Sequence, residues 1–209
     1  MHSKNSTSIQ NNEPERSFID QVRREQIIRA AIESIAELGY GGTSFAKIAK
    51  RAKISIGVIA YHFAGKDELI NQTVISIYAA GTEYMLPRIQ TRKNASQALR
   101  AYIETNIEFI ARHPSEMLAL AQILPNFRDE QGRLRYDRAQ EEPILSSLED
   151  LLSWGQSSGE FRAFDRRVMA ITIRRAIDGF PPQIKDEPGL DVAAYAAELA
   201  SLFEMATRK

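Results

Sequence analysis

Thr43-Ser44-Phe45-Ala46-Lys47-Ile48-Ala49-Lys50-Arg51 and Ser55-Ile56-Gly57-Val58-Ile59-Ala60-Tyr61-His62-Phe63, with Ala52-Lys53-Ile54 between them, decide how this chain folds. Each stretch opens on a hydroxyl residue able to cap a helix, Thr43 or Ser44 in the first and Ser55 in the second. Each is too short for a free-standing helix, so it must pack on something else. In the first, Phe45, Ile48 and Ala49 share one face. In the second, Ile59 and Phe63 lie four apart and turn inward with Ile54. A longer helix precedes both. Arg16 to Leu38 carries Val22, Ile27, Ile28, Ala31, Ile35 and Leu38 as an apolar stripe, and Gly39 stops it before the Tyr40-Gly41-Gly42 turn.

Two short helices joined by a tight turn and braced by a longer one form a helix-turn-helix, the second short helix being the one that enters the major groove. Its outward residues are then Ser55, Ile56, Val58, Tyr61 and His62. Gly57 leaves room for the backbone to approach either DNA or the first helix closely. Tyr61 and His62 can donate to phosphate oxygens, and Lys66 adds a charge one turn on. Thr43 and Ser44 place hydroxyls and free amides at another helix N-terminus, and Lys47 stands beside them. Arg23 and Arg24 lie on the bracing helix within reach of a phosphate backbone.

Charge supports the same face. The chain is neutral overall, but residues 1–66 hold ten Lys/Arg against six Asp/Glu, and no acid occurs between Glu37 and Asp67. Lys47, Lys50, Arg51, Lys53 and Lys66 fall in that window, a local basic patch of the kind that meets phosphates.

The remaining pattern is helical throughout, and the fold class expected is all-α. Lys66-Asp67-Glu68 opens a long helix through Leu69, Ile70, Val74, Ile77 and Tyr78 to about Met85, where Pro87 stops it. Further helices are expected at about 95–112, 114–124, 137–157, 165–179 and 190–207, about nine in all. Pro125 to Arg135 reads as a polar loop, and Pro181 to Gly189, with three prolines, as a connector without helix. Residues 1–16 read as a disordered arm, 17–66 as the helix-turn-helix domain and 67–209 as a second domain.

The 209 residues contain no cysteine, which excludes disulfides, thiolate metal sites and a cysteine nucleophile. With no apolar leader and no run of the roughly 20 apolar residues a membrane span needs, a cytoplasmic protein without a membrane partner is expected. Only three histidines occur, at 2, 62 and 113. No metal-ligand spacing, phosphate loop or nucleophile motif accompanies them, so neither catalysis, a metal nor a cofactor is expected. His113, just before Pro114, reads as a cap or surface residue.

Gly39-Tyr40, Thr43 to Ala49, Ile54 to Phe63, Lys66 and Glu68-Leu69 together resemble the DNA-binding signature of the TetR family of bacterial transcriptional regulators. The resemblance covers roughly residues 20–70. It implies a homodimer with an all-helical ligand-binding core, acting as a repressor that a small-molecule inducer releases from a palindromic operator. The alternative is a structural or cell-division factor of the same fold without an inducer. This chain departs from the family pattern at Val58, often threonine, and Ala60, often tyrosine. Ala46 stands where some members carry an arginine that reads a base. Few side chains are left for bidentate base contacts, so reading should lean on Ile56 and Val58 against thymine methyls and on DNA shape.

The helices at 165–179 and 190–207 are apolar on more than one face, from Val168, Met169, Ile171 and Ile173 to Leu199, Leu202 and Phe203. A two-fold four-helix dimer interface would cover the surplus. An interhelical ligand pocket is expected between about 67 and 180. Its candidate lining residues are Tyr78, Met85, Phe109, Met117, Gln122, Trp154, Phe161, Arg174, Arg175 and Asp178. The two arginines need partners within an apolar helix, and Asp178 is the i+4 neighbour of Arg174.

Overall fold

The computed structural model describes residues 13–187 and 189–209, and there the chain forms ten helices. It divides into two compact units, one running to Ser76 and one from Ile77 to Lys209. Residues 1–12 of the expected arm lie outside the described residues. Residues 13–16 belong to the first helix.

The first unit holds α1 (Glu13–Leu38), α2 (Phe45–Ala52), α3 (Ile56–His62) and the opening turns of α4 (Lys66–Gln90). Ser44 and Ser55 are the N-caps of α2 and α3, their hydroxyls accepting from the Lys47 and Val58 amides at 3.4 and 3.3 Å. Gly39, at φ 74°, takes the left-handed position that ends α1. Lys53 takes the corresponding position after α2, at φ 55°, although it carries a side chain. The strain of about 1 kcal/mol is offset by amides returned to α2: Lys53 N donates to Lys50 O at 3.3 Å and Ile54 N to Ala49 O at 3.0 Å. This left-handed lysine is the turn of the motif.

Ile27, Ala30 and Ala31 of α1, Ile48, Ala49 and Ala52 of α2, Ile59, Phe63 and Leu69 form one buried core. Leu69 explains why the unit continues past Lys66: the first turns of α4 contribute to this core. Val22 and Leu38, expected on the apolar stripe, are exposed, because the core contacts only the middle of α1.

In the second unit the rest of α4 is joined by α5 (Ala95–Arg112), α6 (Pro114–Ile123), α7 (Arg138–Ser157), α8 (Arg166–Asp178), α9 (Phe180–Asp186) and α10 (Val192–Thr207). Helix α5 is central, packing on α10, α7, α8 and α9. Its Leu99, Ile103, Ile107 and Ile110 enter a core with Leu148, Leu152, Ile173, Ile177, Phe180 and Ala200. Asn94, Asp137, Asp165 and Asp191 cap α5, α7, α8 and α10 with side-chain oxygens. The carboxylate of Glu160 adds a second cap to α5, accepting from Ala95 N at 3.1 Å and Ser96 N at 3.0 Å.

Two sequence expectations require correction. Pro87 does not stop α4, which continues to Gln90; a proline so near a helix end costs one hydrogen bond and the few residues beyond it still coil. The 181–189 connector contains α9, because Pro181 and Pro182 sit in a first turn whose amides would be unpaired in any case. The segment 125–135 is a loop, as expected; it closes as a turn around the Arg128–Leu134 bridge and buries Phe127.

Candidate nucleic-acid interface

Helix α3 is fixed from one side only. Ile59 and Phe63 are fully buried. The Arg24 guanidinium lies over the Phe63 ring at 4.4 Å, donates to the His62 carbonyl oxygen and stands 3.8 Å from Glu68. The opposite face stands in solvent. Ser55, Gly57 and Ala60 are exposed, Ile56 is 50 % and Tyr61 68 % exposed, and Val58 and His62 are half-buried. Tyr61 and His62 meet edge to face at 4.9 Å. A Cβ placed on Gly57 would touch only the Ser55 hydroxyl, at 3.7 Å. The first short helix therefore does not explain this glycine, and the outward face remains as its reason.

The neighbouring candidates divide. Ser44 and Lys47 are exposed at the start of α2, with Lys47 Nζ donating to Gly42 O at 2.6 Å. Thr43 is turned inward: it is buried and its hydroxyl donates to the Gly39 and Ser34 carbonyl oxygens at 2.9 and 3.2 Å. Its hydroxyl is thus taken up in bracing the α1–α2 turn, which removes it from the phosphate-facing set. Lys66 is tied to Tyr40, with Nζ 4.8 Å from the ring centroid and donating to the carbonyl oxygen at 3.3 Å. Arg24, offered as a backbone contact, is the internal brace described above. Arg51 likewise pins α2 to α1 through Ser34, Glu33 and Glu37.

Residues 27–73, which form this motif, match the family model described as bacterial regulatory proteins, tetR family. The first unit is similar to the DNA-binding part of that family. The chain is 36 % identical over 92 residues to the HTH-type transcriptional regulator BetI of Burkholderia ambifaria, covering 42 % of this chain and 46 % of that one. It thus spans about half the length of the sequence relatives it matches. Over most of the fold it is similar to the transcriptional regulator FadR from Bacillus subtilis, solved in complex with stearoyl-CoA. The TM-score is 0.74 at 25 % identity, covering 85 % of this chain and 96 % of that one. The fold is shared also with AibR, solved in complex with isovaleryl coenzyme A and operator DNA: TM-score 0.72 at 21 % identity, covering 89 % and 98 %.

In the second unit the expected lining residues scatter. Gln122 and Trp154 are exposed, and Met117 is packed half-buried against the core. Phe161 is core, its ring lying where a Cβ on Gly155 would be, 2.1 Å away. Phe109 stacks on His113 at 4.1 Å and, with Ala80, Glu83, Tyr84, Arg88 and His113, lines a shallow groove of about 340 Å³. His113 is not a side-chain cap; its Nδ1 bonds the Phe109 carbonyl oxygen at 2.8 Å.

Tyr78, Arg174, Arg175 and Asp178 do come together. Arg174 Nε donates to Asp178 Oδ1 at 2.9 Å, and Arg175 bonds Glu141 Oε2 at 2.6 Å and Asp178 Oδ2 at 3.2 Å. Burial raises the Tyr78 hydroxyl above the ordinary tyrosine range; the nearby Arg174 opposes this, and Asp178 and Glu141 add to it. The sequence reading missed Tyr102 and Asn106, which complete the cluster from α5. Asn106 accepts from Arg174 Nη1 at 3.2 Å and donates to the Tyr102 carbonyl oxygen at 2.8 Å. Polar residues amid the apolar i, i+4 stripe of α5 were the available signal.

Among the described residues no group of three His, Asp or Glu is placed to hold a metal, and no helix is long and apolar enough to cross a membrane.

Proposed function

We propose that this protein is a cytoplasmic, homodimeric transcription repressor that holds a palindromic operator through two copies of α3 and is released by a small molecule bound in its second unit. The observation that carries the reading is the outward face of α3, where Ile56 and Tyr61 stand exposed around an unobstructed Gly57. Large apolar and aromatic side chains in solvent on a helix held firmly from behind mark a recognition surface. Ser55, Val58 and His62 share that face, with Ser44 and Lys47 at the start of α2 for adjacent phosphates.

Dimerisation through α8 and α10 is supported by Val168, Ile171, Leu202 and Met205, all exposed apolar side chains on those helices. Two-fold symmetry in the protein then requires two-fold symmetry in the operator. Ligand response is supported by the fold shared with regulators crystallised on acyl-coenzyme A. Helix α4 carries Leu69 in the first core and Tyr78 at the polar cluster, so one continuous element serves both units. A ligand that binds the non-DNA arrangement better lowers operator affinity by that difference.

The test is selection of genomic fragments on the purified protein, followed by gel-shift at several salt concentrations. A palindromic site with steep salt dependence is expected. A folded dimer that recovers only non-specific DNA overturns the reading.

A further inference from the structure

Resting on the ligand-responsive reading, we propose that Tyr102, Asn106, Arg174 and Asp178 form the polar end of a ligand site that takes an uncharged acyl carbonyl and discriminates against a free carboxylate. The first observation is the Tyr102 hydroxyl, which is buried and has no hydrogen-bond partner among the described residues. Buried polar atoms are almost always paired, so an orphan marks a place where something else binds.

The surroundings say what is missing. The Arg174 side chain is only 16 % exposed; burial acts against its charge, while Tyr102 and Asp178 favour it, and its guanidinium offers only N–H donors. A guanidinium cannot receive the Tyr102 hydroxyl hydrogen, and no acceptor among the described residues lies within reach of it. The absent partner is an acceptor.

Charge balance decides which acceptor. Arg174 is paired with Asp178, and Arg175 with Glu141 and Asp178, so two cations already face two carboxylates. A ligand carboxylate at the buried Tyr102 hydroxyl would bring a third negative charge with no cation to match it, and unpaired charge is costly where it is buried. An ester, amide or ketone oxygen accepts the hydroxyl hydrogen without that penalty. Tyr102 also packs on a core containing Ile103, Ile107, Ile173 and Ile177, so the surroundings of its ring are apolar.

The experiment uses the full-length protein and four probes sharing one chain: methyl decanoate, decanamide, decanoate and decylammonium. Binding is read by thermal shift and, separately, by release of operator DNA. The two neutral probes are expected to bind at least about tenfold more tightly than either charged one. Tyr102→Phe should melt without probe at or above the wild-type temperature and lose at least about tenfold in ester affinity. Asp178→Asn leaves one arginine unmatched and should reverse the preference toward decanoate. Preference of the wild type for decanoate, undiminished ester binding by Tyr102→Phe, or a clear drop in its unliganded melting temperature each overturns the proposal. Failure of all four probes rejects an acyl carbonyl at this site. Loss of operator binding by the wild type, with the thermal-shift pattern intact, counts against the repressor reading instead.

Discussion

Replacing Gly57 by alanine separates the needs of the free protein from those of the DNA complex. In the free protein the added methyl meets only the Ser55 hydroxyl, at ordinary van der Waals distance. Position 57 is the second residue of the seven-residue α3, and its φ is not in the left-handed range. Alanine should therefore stabilise α3 through helix propensity, by about 0.5–1 kcal/mol, raising the melting temperature of a chain this size by roughly 1–4 °C. In the proposed complex the methyl would lie where backbone and DNA meet. Overpacking a closed contact costs about 1–3 kcal/mol, and a dimer presents two copies of it. Operator affinity should fall at least about tenfold while stability rises. The assay pairs differential scanning calorimetry with fluorescence anisotropy on one labelled operator. Unchanged operator affinity would show that α3 does not approach DNA over Gly57 and would remove the main argument for that face. A lower melting temperature would show instead that the glycine serves the fold.

Three further outcomes follow from the same geometry. Ile59→Ala empties a fully buried site that holds α3 to α1 and α2; it should cost about 2–5 kcal/mol, seen as early loss of helical circular dichroism on heating. Burial alone would raise the Glu160 carboxyl, but the Ser96 and Ala95 amides and the Ser158 hydroxyl outweigh it and hold it below the ordinary range. Its stabilisation is therefore complete above the unfolded pKa near pH ~4.3 and fades as pH falls through the lower folded value. Glu160→Gln should cost about 1–2 kcal/mol at neutral pH and progressively less in acid, a convergence that urea melts at several pH values can check. Lys47→Ala should leave the fold intact and reduce the salt slope of operator binding by about 1 per subunit in contact; an unchanged slope would assign its ammonium wholly to the Gly42 carbonyl.

Local signals carried much of the molecule. Ser44, Ser55, Asn94, Asp137, Asp165 and Asp191 cap helices because a short oxygen-bearing side chain can reach an amide two or three residues ahead, and that geometry is written within four residues. The inward set of α3 was equally legible from the spacing of Ile59 and Phe63, and with it the outward set that the proposed interface uses. Thr43 shows where this stops. Its hydroxyl looks the same in sequence as that of Ser44, yet the packing of α1 turns one inward and leaves the other in solvent. The Arg174–Asp178 pair could be read at i, i+4, but whether anything else met it could not. Tyr78, Tyr102, Asn106 and Glu141 reach that pair from three other helices, and no periodicity links positions so far apart along the chain. Only the packing of α5 against α7 and α8 brings them into one place, buries the Tyr102 hydroxyl and leaves it without an acceptor. Helix ends and helix faces are set by neighbours in sequence, whereas desolvation and charge balance are set by neighbours in space.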